Sequence, residues 1–185
     1  MTDLPVLLGL GALLVGGLIV LSYNRFVSQR TSIDASWAGI DVELQRRHDL
    51  VPRLVEAAAG YARHEQRTFE VVTAARAEAV AARSLDEQAR AEDHLTEGLS
   101  GLFALTETYP DLRADAVFRD LSRQLIETED RIAASRRLYN LEVAAYERRR
   151  GAIPSNLVAS WFRMPPRRSF EVLDASARHA ALVQL

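Results

Sequence analysis

Cysteine and lysine are both missing from the 185 residues, so all 23 basic side chains are arginine. The first absence excludes a disulfide scaffold, a thiolate metal site, a cysteine nucleophile and a lipidated N-terminal cysteine. The second excludes lysine Schiff-base chemistry and a phosphate-binding P-loop lysine. Neither sign of charge is in excess: 25 acids leave a net charge of −2, which argues against bulk nucleic-acid binding. Four of the nine glycines sit in one apolar run near the start, so no glycine-rich phosphate cradle is present. What is there is 48% hydrophobic and 26% charged, enough to bury the core of one ordinary domain with an appendage.

From Leu4 to Leu21 the chain reads LPVLLGLGALLVGGLIVL, eighteen residues without a charged side chain. At about 1.5 Å per residue a helix of this length covers roughly 27 Å, close to the hydrocarbon thickness of a bilayer. A buried core helix rarely goes so long without a charge. A cleaved signal peptide would carry Arg or Lys before the run and a small-x-small site after it; here Asp3 precedes and no such site follows. The reading is a retained transmembrane anchor. Asp3 lies on one side, Arg25 and Arg30 on the other, with Tyr23 and Phe26 at the boundary. The positive-inside rule puts the N-terminus out and the remaining chain in the cytoplasm.

Beyond the anchor the apolar positions Ile33, Trp37, Ile40, Leu44, Val51, Leu54, Ala58 and Tyr61 alternate in steps of four and three, a coiled-coil-like seam broken by Arg47. Pro52 falls inside this helix and predicts a kink or a replaced turn. Gly60 predicts its end. A second helix is expected over Glu65–Arg83. Ser84 with Glu87 forms an S-x-x-E capping box that opens a third, stopped at Tyr109-Pro110. A fourth starts near Asp115 and ends at Gly151 and Pro154. No alternating β-branched run appears, so the fold class is all-α. The first and last helices would be roughly 55 Å long and the middle two about 30 Å. This predicts a transmembrane helix (1–22) continuing into a long antiparallel four-helix bundle (23–153), two helices long and two short.

A basic-aromatic tail (154–185) follows. Between Glu147 and Arg178 seven arginines face three acids, a surplus of +4. Trp161, Phe162, Arg163, Arg167, Arg168 and Phe170 interleave arginine with aromatic rings, a composition suited to an anionic headgroup surface. The same aromatics could instead pack on the membrane-proximal halves of the long helices. The Ala-rich end, Glu171–Leu185, reads as a short helix or a frayed tail.

Several blocks together resemble the LemA family: YNRFV (Tyr23–Val27), SWAGIDVELQRRHDLVPRLVE (Ser36–Glu56), GYARHE (Gly60–Glu65), YPDLRA (Tyr109–Ala114) and RRLYN (Arg136–Asn140), continued by PSNLVA from Pro154. The resemblance runs in order from about Tyr23 to Pro154. It implies a bacterial membrane-anchored protein with a long antiparallel helical bundle and a poorly defined biochemical role. Some members of the family look like lipoproteins, with a cysteine where this chain has Leu21 or Ser22; here the apolar helix must serve instead.

Catalytic patterns are lacking. His64-Glu65 begins a zinc-protease signature, but Thr68 stands where the second histidine belongs. His48, His64, His94 and His179 are dispersed, and no Glu-x-x-His pair supports a di-iron bundle. Glu127, Asp130 and Glu142 with Arg136-Arg137 read as solvated helix faces. No cofactor, metal or catalytic residue is expected. Arg46, Arg47 and Arg137 are either bundle-building charges or a partner surface. The expected function is a non-enzymatic, single-pass scaffold or adaptor at the bacterial cytoplasmic membrane, meeting the lipid bilayer and a protein partner or a second copy. The alternative is a lipid-binding or bilayer-shaping bundle.

Overall fold

The computed structural model describes residues 3–171, and among them every regular element is a helix. In chain order these are α1 (Asp3–Ala59), α2 (Gln66–Ala81), α3 (Leu85–Thr108), α4 (Pro110–Ala114), α5 (Ala116–Gly151) and α6 (Ser155–Trp161). The Ala-rich end after Glu171, with His179, lies outside the described residues.

The boundaries have local causes. Ser84 caps α3 by accepting from the Glu87 amide at 3.2 Å, and the Glu87 carboxylate reaches back to the Arg83 amide at 2.9 Å. Asp115 opens α5 by accepting from the Phe118 amide at 2.7 Å. Pro110 sits in the first turn of α4, where its missing N–H costs nothing.

Two differences from the sequence-based expectation are informative. The first is that Pro52 does not replace a turn: α1 is helical on both sides of it. A proline at 52 leaves the carbonyl of His48, four residues earlier, without its helical donor. The guanidinium of Arg76 on α2 fills the vacancy, donating from Nε to His48 O at 2.6 Å. The second is a pair of short helices, α4 and α6, that the apolar periodicity did not reveal. Five and seven residues are too few to show a 3.6-residue period.

The described chain divides into two compact units. One comprises Gly39–Arg136 with Phe170. Its core joins Leu50, Val51, Leu54 and Ala58 of α1 to α2, α3 and α4 and to Phe118, Leu121 and Leu125 of α5. Phe103 and Phe118 meet edge-on at 6.2 Å. Gly98 permits the close approach of α2 and α3: a Cβ there would touch Val72 at 3.4 Å.

The other unit comprises the chain up to Ala38 with Arg137–Ser169. It buries Phe26 and Ile33 of α1 with Tyr139, Val143 and Tyr146 of α5. Phe26 packs edge-on against Tyr146 at 5.8 Å, and Trp37 against Tyr139 at 5.6 Å. The start of α1 is different: its large apolar side chains from Leu4 to Leu21 are exposed except for the half-buried Ile19. This is the one described helix long and apolar enough to cross a membrane.

Candidate functional site

Charged side chains inside a helical core have to be paired or they are expelled. In the unit containing α2 and α3, Arg47 is such a case, 2% exposed on the apolar stripe of α1. Its Nη1 lies 3.0 Å from Glu92 of α3 and 2.8 Å from Glu129 of α5, and its Nη2 donates to Thr96 at 2.7 Å. The other Glu92 oxygen accepts from His48 Nε2 at 2.7 Å and from Gln88 Nε2 at 2.8 Å. One guanidinium thus links three helices through a buried network. Arg47, expected either as a bundle-building charge or at a partner surface, is buried within this unit. Arg46 on α1 is half-buried and Arg137 on α5 is exposed, each in a different unit.

The unit containing the apolar start of α1 holds most of the basic-aromatic segment. After α6 the chain turns sharply. Arg163 takes φ 50°, its amide bonds Ser160 O at 3.2 Å, and the Met164 amide bonds Ala159 O at 2.8 Å. This is a Schellman termination with arginine where glycine is the usual residue. The extended segment that follows is tied down at three points. Tyr146 donates to Pro165 O at 2.7 Å and Tyr139 to Arg168 O at 3.0 Å, while Glu147 accepts from the Arg167 amide at 2.7 Å. Arg167 also pairs with Asp34 at 3.0 Å. Burial pushes both tyrosine phenols above their ordinary pKa.

The six residues expected to meet the membrane are therefore not alike. Trp161, Phe162, Arg163 and Arg168 are exposed, Arg167 is half-buried in its ion pair, and Phe170 is 1% exposed and turned inward. Phe162 packs on Tyr23 of α1 at 4.8 Å and stacks beside Trp161 at 6.4 Å. Two residues missed from sequence join them. Ile153 and Leu157, at successive four-residue steps before Trp161, are exposed apolar side chains. The spacing was the available signal, hidden because Pro154 interrupts it. Ile153 stands in the turn before α6, whereas Leu157 and Trp161 of α6 line one groove with Val15, Leu18 and Ile19 of α1.

Among the described residues no cluster of three His, Asp or Glu is placed to hold a metal ion. The LemA family model matches residues 36–185, most of the chain. The chain belongs to the LemA family. Within the family's reach it is similar to the magnetosome protein MamQ of Magnetospirillum gryphiswaldense, 25% identical over 154 residues, 69% of this chain and 57% of the relative. The magnetosome proteins MamQ 1 and MamQ 2 of Paramagnetospirillum magneticum match with the same identity and coverage. This LemA-family chain thus spans little more than half the length of those relatives. Its membership and its apolar first helix together describe a membrane-associated helical protein.

Proposed function

We propose that the protein is a non-enzymatic scaffold or adaptor, anchored by a single N-terminal span in the bacterial cytoplasmic membrane, its helices forming an antiparallel four-helix bundle on the cytoplasmic side. The observation that carries this reading is the division of labour along α1. One unbroken helix presents bare apolar side chains from Leu4 to Leu21 and then a face that is buried from Ile33 to Ala58. A helix that leaves a bilayer and carries a buried face farther along ties the helices packed on that face to the membrane. The charged residues of the interior support structure rather than chemistry, since Arg47 and His48 both bond to Glu92. The MamQ relatives are named for a structure, the magnetosome, and not for a reaction, in keeping with an organising role.

The test is photo-crosslinking in intact cells with a reactive amino acid at Arg46 or Arg137. A reproducible adduct, to a second copy or to one enriched neighbour, is expected. Monomer alone at every position would refute the scaffold reading.

A second reading, a lipid-binding or bilayer-shaping bundle, is favoured by the exposed apolar side chains Ile153, Leu157 and Trp161. Its test is flotation of residues 24–185 with liposomes. No dependence on anionic lipid, or no loss on replacing Trp161 and Arg168, would remove it.

A further inference from the structure

Arginines gathered without acids need an anion to offset their mutual repulsion. In the unit that holds α6, Arg167 has Asp34 and Arg150 has Glu147, at 3.0 and 2.9 Å. Arg25 and Arg149 are different: among the described residues neither forms an ion pair. Both border a groove of about 810 Å³ that no carboxylate lines. Burial, and then the like charge of Arg25, push the Arg149 guanidinium below its ordinary pKa. The Arg149 Nε and the Ser22 hydroxyl, both at the groove, are buried with no hydrogen-bond partner. Away from these polar groups the wall is apolar, built from Val15, Leu18, Leu157 and Trp161.

We propose that this groove seats one anionic phospholipid of the surrounding membrane, its acyl chain along Val15, Leu18 and Trp161 and its phosphate between Arg25 and Arg149. The inference rests on the reading that Leu4–Leu21 crosses a membrane. Charge complementarity selects the headgroup: two guanidiniums offer several donors to phosphate oxygens, and a zwitterionic lipid would bring a cation beside them. The apolar wall selects a lipid over a free anion, which would leave it uncovered. Depth agrees as well. Arg25 lies four residues past the end of the apolar run, about one helical turn, where headgroup phosphates are found.

The experiment uses the full chain in vesicles of equal phosphatidylcholine and phosphatidylglycerol, extracted gently in detergent, with bound lipid identified by native mass spectrometry. Phosphatidylglycerol should be retained in clear excess over phosphatidylcholine. In the Arg25→Gln/Arg149→Gln variant the excess should fall on the order of tenfold. Arg148→Gln, an exposed neighbour outside the groove, should leave most of it, and far-ultraviolet circular dichroism should show all variants equally helical. Equal retention of both lipids by the unaltered chain overturns the proposal independently of any variant. So does an excess that Arg148→Gln reduces as much as the Arg25→Gln/Arg149→Gln variant does, since that is general surface charge. A chain that does not enter these vesicles would overturn the membrane reading itself, a separate and visible failure.

Discussion

Arg47 shows what a single side chain can hold together. Its guanidinium joins Glu92, Glu129 and Thr96, and is almost wholly withdrawn from water. Removing one partner of a buried pair leaves the other charge stranded, at a cost of about 3–5 kcal/mol, whereas replacing both with apolar residues is often neutral. Arg47→Met is therefore expected to lower the chemical-denaturation stability by that amount, and adding Glu92→Met should restore at least half. A double variant as weak as the single one would mean that Arg47 acts through Glu129. The charge on the apolar stripe was legible in the sequence, but its partners were not. Glu92 is 45 residues away, and nothing in local periodicity says which turn of α3 will face which turn of α1. The N-cap role of Asp115 was legible, because a cap is a local device, though its Tyr61 partner 54 residues away was not. The Phe118 amide, and then the Tyr61 hydroxyl, hold its carboxyl below the ordinary pKa. A depressed folded-state value means that the stabilisation is complete above the unfolded pKa and is lost as pH falls through the folded one. The melting temperature of Asp115→Asn, which keeps the cap without the charge, should consequently fall less between pH 5 and pH 3 than that of the unaltered chain, at scan points on the order of 1 pH unit apart.

At the scale of elements the same contrast recurs. The capping box at Ser84 and Glu87 and the stop at Tyr109-Pro110 were readable because each acts within four residues. Of the two outcomes expected at Pro52, a kink or a replaced turn, the replaced turn does not occur, and the reason lies in another helix. The Arg76 guanidinium bonds the carbonyl of His48 that proline leaves open, so α1 continues as a helix. A buried acceptor deprived of its donor costs about 1–3 kcal/mol. Arg76→Leu should cost roughly that in the unaltered chain and much less in Pro52→Ala, where the new amide serves the same carbonyl. A double-mutant cycle with no coupling would show that Arg76 packs there without bonding. The end of α6 offers a complementary case. Arg163 occupies the left-handed region that glycine enters without penalty. Arg163→Gly is expected to raise stability by about 1 kcal/mol in thermal unfolding, because the Schellman bonds of Ser160 and Ala159 remain while the Cβ conflict goes. Short α6 escaped detection by periodicity, yet it carries the exposed Leu157 and Trp161 that give this region its apolar surface.

For the whole molecule the governing quantity is the asymmetry of charge across the apolar run. Before it stands Asp3; after it come Arg25 and Arg30, and the three arginines 148–150 lie in the same unit as the end of the run. Arginine retained on the cytoplasmic side is the rule for short flanks, so the proposed inward placement of the helices rests on Arg25 and Arg30 against Asp3. The exposed connection Ala82–Ser84 between α2 and α3 makes the orientation measurable, with Arg83 open to trypsin. In spheroplasts Arg83 should be protected from added trypsin and cleaved once the membrane is lysed. Cleavage in intact spheroplasts would put the helices outside, and the arginines would then face a leaflet against the usual charge bias. The lipid groove would survive that inversion, since Arg25 and Arg149 need only an anionic headgroup at their own depth. The cytoplasmic scaffold would not. The same digestion therefore separates what depends on which side of the membrane the helices occupy from what depends only on their meeting it.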